Sequence, residues 1–227
     1  MNLENHNTVS AASKSEYEKL IKVAFILSLI TVFYNLIEGV VSIYFGLSDD
    51  TLALAGFGID SFVEVLSGLG IMHMVIRMKN GTVEQRDGFE RTALKITGFS
   101  FYILTAGLIV GSILNIYYGN KPETTLAGII IAGISILTMY LLIRFKMDIG
   151  NKLKSDAIIA DANCTKTCFI LSIILLVSSL GFEIFKIGFL DIAGSLGIAY
   201  YAFKEGKESF EKAHSNKLSC SCEENDH

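Results

Sequence analysis

The sequence predicts an all-α, polytopic membrane protein of six transmembrane helices with both termini cytoplasmic. Three observations lead to that class. Hydrophobic residues make up 51% of the 227 positions and charged residues only 19%, with a mean hydropathy of +0.49. The apolar residues fall in blocks of about 20, the length that spans roughly 30 Å of hydrocarbon at about 1.5 Å per residue. The basic residues sort by loop, as lipid-facing topologies require. A soluble globule is thereby excluded. The formal charge of −4 offers nothing to a nucleic acid.

The elements follow in order. Residues 1–18 are polar and expected to be a disordered cytoplasmic N-terminus, and the apolar block after them is too long for a signal peptide. A six-helix domain is expected over 19–204, with spans near 20–46, 51–76, 94–118, 124–145, 156–180 and 183–203. Residues 205–227 form a charged cytoplasmic tail ending CSCEENDH. The single proline, Pro122, and the lack of Gly/Ser-rich linkers argue for one helical domain. Gly107 with Gly111, Gly194 with Gly197, and Ser67 with Gly68 and Gly70 are small residues at helix-packing spacing; ordinary membrane packing accounts for them.

Orientation comes from the positive charges. With the N-terminus inside, Lys14, Lys19 and Lys22 lie inside, as do Arg77, Lys79, Arg86, Arg91 and Lys95. Arg144, Lys146, Lys152 and Lys154 follow, then Lys204, Lys207, Lys212 and Lys217. Sixteen of the nineteen basic residues then share one side. Lys121 and Lys186 fall outside, and Lys166 lies within a span. The expected location is the cell membrane as a multi-pass protein, the inner membrane where the source has two.

Chemistry in such a chain resides in its intramembrane polar groups, because a carboxylate at mid-bilayer costs a few kcal/mol or more and must face a bundle interior or a water-filled cavity. Asn35 and Glu38 lie in the first span, and Asp60, Glu64 and His73 in the second. Asp161, Cys164, Lys166 and Cys168 lie in the fifth, and Asp191 in the sixth. In GFGIDSFVEVLSG, Asp60 and Glu64 are four residues apart, hence on one helix face one turn apart. Two like charges at that distance repel unless a divalent cation pairs with both. The alternatives are a proton-sharing structural pair or an ion pair to Lys166. In DANCTKTC, Cys164 and Cys168 repeat the spacing, with Asp161 near their face. Two helices that each present such a pair can enclose one tetrahedral cation. The bland reading of the cysteines is core packing. A disulfide between them is disfavoured, since successive helix turns aim both side chains in parallel.

The resemblance appears at this point. LALAGFGIDSFVE resembles the second-span motif of the cation diffusion facilitator (cation efflux) family, H/D-x-x-x-D, with Asp60 and Glu64 at its ligand positions. SDAIIADANCTKTC resembles that family's fifth-span pattern ending H-x-x-x-D, with Cys164 in place of the His and Cys168 in place of the Asp. FLDIAGSLGIAYYAFKEGKESFEKA is similar to the sixth span and the helix leaving it, with Asp191 at the usual Asp. YNLIEGVV fits a short branch with Asn and Glu in span one. The likeness covers about 20–213. Two departures stand out: both fifth-span ligands are cysteine, and the C-terminal cytoplasmic domain that usually dimerises is replaced by a short tail.

What the resemblance implies is a divalent metal transporter, working in efflux by alternating access with protons as counter-ion, and not an enzyme. Zinc is the favoured cargo, with Cd2+, Co2+ and Fe2+ open and no resident cofactor. Its metal ligands are Asp60, Glu64, Cys164 and Cys168. Glu38, Asp161 and Asn35 form a second rank, as gate, outer support or proton path. Cys220, Cys222 and His227 in the tail are a candidate soft-metal collector, against a plain solvated tail. The partners are metal ions, protons and the bilayer, with a homodimer left open. A non-transporting sensor or partner subunit of the same fold is the alternative. A membrane thiol-redox protein is a weaker one, since i, i+4 cysteines do not close a bond readily.

Overall fold

The computed structural model describes residues 3–80, 88–118, 122 and 125–215, except the side chains of 3–15, 67, 78, 90, 156, 157, 160 and 164. Arg86, Lys121, Lys217, Cys220, Cys222 and His227 lie outside the described residues. All described elements are helices: α1 (Leu3–Ser48), α2 (Leu52–Lys79), α3 (Gly88–Tyr118), α4 (Leu126–Leu153), α5 (Asp156–Phe185) and α6 (Phe189–His214). Five of them, α1 to α5, are long and apolar enough to cross a membrane. The sixth expected span begins later than 183, because residues 183–185 close α5. In α6 the apolar part lies between Asp191 and Lys204, so composition alone does not make it a span.

α1 begins at Leu3 and runs through the polar segment that was expected to be disordered. No glycine or proline precedes Gly39, so nothing in the sequence stops the helix early. Short turns join α1 to α2 and α5 to α6, with Asp50 and Lys186 in the left-handed region at φ 54°. Lys154 does the same between α4 and α5 at φ 49°. These ends satisfy the last helix carbonyls: Lys154 N–H bonds back to Asn151 O and Lys186 N–H to Phe182 O. We call the end with the 48–52 and 185–189 turns the distal end, and the opposite one, where α2 and α6 finish, the proximal end.

α1 packs along α2, α3 along α6, and α4 along α5, while α2 also touches α3, α5 and α6. α2 is thus the helix from which most neighbours are reached. Its approach to α1 is closest at Gly46, where an added Cβ would sit 2.5 Å from the backbone nitrogen of Ala55. Only glycine fits there. Gly107, by contrast, faces open space and mediates no helix contact.

The packing is inside-out relative to a soluble domain. Phe33, Ile37, Tyr44, Ile130, Leu137, Val177 and Tyr200 are exposed, while Asn35, Glu38, Asp60, Ser135, Lys146, Ser172 and Asp191 are buried. Water would not leave such a belt uncovered. The distribution suits a bundle in lipid, where polar groups turn inward and hydroxyls link the helices. Ser112 and Ser195 join α3 to α6 at 2.9 Å, and Ser135 and Ser172 join α4 to α5 at 2.7 Å.

Two carboxylates, the buried Asp191 and the half-buried Glu183, fasten the distal end. Asp191 accepts the backbone N–H groups of Leu52 at 3.0 Å and Ala53 at 3.2 Å, which caps α2 from another helix. Glu183 accepts Thr125 N–H at 2.7 Å, caps α4 in the same way, and also holds Lys186. Anions at helix N-termini complement the dipole and the unpaired amides.

Candidate metal centre

Three ligating side chains converge near mid-bundle. One oxygen each of Asp60 and Glu64, from α2, and the sulfur of Cys168, from α5, all lie within 4.8 Å of one another. Asp60 is eight residues into α2, about 12 Å below the distal end at about 1.5 Å per residue. The i, i+4 spacing aligns the carboxylates, and the α2–α5 contact brings the thiol to them.

The centre carries an excess of negative capacity. Two ionised carboxylates within 4.8 Å of each other repel by about 3.5 kcal/mol or more at an effective dielectric of about 20. Asp60 is 1% exposed, and its Oδ1 has no hydrogen-bond partner among the described residues. A buried, unpaired carboxylate oxygen beside a second carboxylate and a thiol is an arrangement a cation would complete. Tetrahedral zinc, with bonds of about 2.0 Å to oxygen and 2.3 Å to sulfur, needs ligand atoms about 3.3–3.5 Å apart. The triad therefore suits zinc after its ligand atoms draw together by at most about 1.5 Å, and a larger ion needs less.

A second layer orients these groups. Asn35, 0% exposed, donates from Nδ2 to Glu64 Oε2 at 3.2 Å, while its own Oδ1 is buried without a partner among the described residues. Glu38 accepts from Tyr34 at 2.9 Å and from Ser61, the neighbour of Asp60, at 3.2 Å. Both first-span residues thus stand at the centre rather than facing lipid. Cys164 lies one turn before Cys168 in α5, but its side chain falls outside the described residues. A fourth ligand is available in principle from it, from water or from the Asn35 amide oxygen.

Other expectations are corrected. Lys166 is exposed, so it is not the partner of Asp60 and Glu64. The buried cation is Lys146, which belongs to α4 rather than to a loop, because that helix continues to Leu153. Lys146 is 1% exposed; its ammonium donates to Asp161 at 2.9 Å and to Thr165 at 3.0 Å. Asp161 is therefore held in an ion pair and is not among the three groups that converge on the centre. His73 packs against Phe89 with tilted rings, centroids 4.7 Å apart, and does not join the triad.

Sequence reasoning missed Glu205, which it assigned to the tail. Glu205 lies within α6, accepts from Thr167 at 2.9 Å and lines a cavity together with Glu64 and Asp161. The structure shows why it turns inward: its helix-turn neighbours Tyr201 and Ser209 are partly and fully buried, so position 205 shares their face. A scan against models of known protein families finds no match, and a search of curated proteins finds none either.

Proposed function

We propose that the chain is a divalent-metal transporter of the cation diffusion facilitator type. It crosses the membrane six times with both termini cytoplasmic and exports its ion, zinc first, in exchange for protons. The single observation that carries this reading is the Asp60–Glu64–Cys168 triad, with ligand atoms within 4.8 Å of one another and an unpartnered Asp60 oxygen at membrane depth. Two independent helices contribute to it, and a cation is the simplest neutraliser of so many acidic groups in one low-dielectric place.

Proton coupling follows from the ligand chemistry. Carboxylate and thiolate must lose protons to bind metal, so a bound ion and bound protons exclude each other. A bundle that exposes the centre alternately to each side then exchanges one for the other. The mixed oxygen and sulfur set suits zinc and cadmium better than manganese. Asn35 fixes the Glu64 carboxylate, and Glu38 supports α2 behind Asp60 through Ser61.

The test is reconstitution into liposomes with a pH gradient, with uptake of zinc, cadmium, cobalt and manganese followed in parallel. Asp60→Ala should insert normally and carry no metal. Equal flux in wild type and Asp60→Ala would sink the shared-centre reading. Metal binding with no flux for any ion would favour a sensor or partner subunit.

A further inference from the structure

Between the triad and the proximal end, the bundle is not closed. A chamber of about 40 Å³ with polar and apolar walls lies there. It is lined by α1, α2, α3, α5 and α6, through residues that include Thr31, Glu64, Thr97, Asp161, Thr165 and Glu205. A water molecule needs about 10–15 Å³ of such space, so the chamber holds about three. From Glu64 to Ile71 on α2, and from Glu205 to Lys212 on α6, it runs about 10 Å along the axis. It thus starts at a ligand of the candidate metal centre and ends in the last turn of α6.

The distal side of the triad is different. Leu54, Phe57, Leu108, Leu171, Leu175 and Ile198 form one contiguous buried apolar cluster there. A dry plug of this kind offers a cation no coordinating atoms. The chamber contains an unpartnered hydroxyl, as the distal half also does at Ser42 and Ser179. Thr97 lines the chamber, is 1% exposed, and its hydroxyl has no partner among the described residues. A hydroxyl buried so deeply needs water or a passing ion.

Its charges are also sorted. Asp161 is held by Lys146, at 2.9 Å, and Lys212 at the mouth by Glu208, at 3.0 Å. Lys204 precedes Glu205 on the same helix and is exposed. Glu205 accepts from the Thr167 hydroxyl at 2.9 Å and lines the chamber, where the charge of Lys212 acts on it from the mouth.

We propose that this chamber is the water-filled access path by which a divalent cation reaches the triad from the proximal side, and that Glu205 is the carboxylate that draws the cation in. The proposal rests on the metal-centre reading above. Glu205 is a positioning residue, not a ligand. A negative charge in a narrow, low-dielectric channel raises the local cation concentration about ten- to a thousand-fold. Glu205 should therefore set how fast the ion arrives, while Asp60, Glu64 and Cys168 set how well it is held.

The experiment follows the cadmium–thiolate absorbance of the purified full chain by stopped flow. Glu205→Gln should slow cadmium association about tenfold and leave dissociation unchanged. Raising the salt should shrink that difference, because screening removes steering but not a structural defect. Glu205→Asp should restore most of the rate. Thr97→Phe, which fills the chamber, should slow association and dissociation together and leave equilibrium affinity within about twofold, as expected for a higher barrier on an unchanged site. Wild-type rates in both Glu205→Gln and Thr97→Phe would overturn the proposal. So would loss of the cadmium–thiolate band in Glu205→Gln, which would make Glu205 a ligand. Absence of that band in the wild type would instead remove the metal centre itself, and the access path with it.

Discussion

The Lys146–Asp161 pair allows a prediction whose size follows from the structure. The two groups meet at 2.9 Å with side-chain exposures of 1% and 10%. At that distance and an effective dielectric of about 20 their attraction is about 6 kcal/mol. Desolvation of both ions offsets most of it, so the intact pair contributes little net stability. Removing one partner is different, because the other remains as a lone buried charge. Lys146→Met or Asp161→Leu alone should each cost about 3–5 kcal/mol. The double variant should lie within about 1–2 kcal/mol of wild type, giving a coupling energy of about 4 kcal/mol or more. Equilibrium unfolding in mixed detergent micelles measures all four corners of the cycle. Cadmium affinity of the double variant, measured alongside, should stay near the wild-type value because Asp161 is not a ligand. A cost below about 1 kcal/mol for Lys146→Met would refute the buried pair. Loss of cadmium affinity in the double variant, to the level of Asp60→Ala, would return Asp161 to the metal centre.

Four further predictions bear on the centre, its frame and its topology. Cys168→Ser should lose most cadmium affinity, since a hydroxyl is a poor ligand at neutral pH, whereas Cys164→His with Cys168→Asp should bind and move preference toward zinc; titration with both metals decides it. Each ligand proton that metal displaces should make wild-type affinity fall about tenfold per pH unit below that group's pKa, so binding weakens on acidification; affinity that is flat from pH 8 to 6 would contradict thiolate coordination. Asp191→Ala strands two buried amides, each costing about 1–3 kcal/mol, and should destabilise the α1–α2 turn; thermal unfolding in detergent reads the loss, and no change would show that α2 needs no cap. A reporter fused after His227 should be active only in the cytoplasm, and activity only outside would invert the proposed topology.

Much of the fold was legible in the chain, because a membrane helix is a statement about composition over a length. Five blocks that read as spans are helices of the expected type, since about 20 apolar residues without a breaker have few other stable states. The helix period also placed Asp60 one turn from Glu64, a purely local relation. Other features are properties of packing. Whether Glu64 meets Cys168 depends on which helices touch, over a separation that no periodicity records. Lys146 looked like a loop charge because its helix was taken to end near 145, yet it turns inward to Asp161. Glu205 looked like part of a charged tail, and only the contact of α6 with α2, α3 and α5 brings it to the chamber. Asp191, which sequence alone marked as an intramembrane acid, proves to cap α2 from 138 residues away. The sequence by itself determined which stretches are long and apolar enough to cross a membrane and which pairs share a helix face, because hydropathy and helical period are local. Only the tertiary structure decided which carboxylates are neutralised by a lysine, which cap a helix, and which remain unpaired around one point, because the energy of a buried charge depends on what stands opposite it.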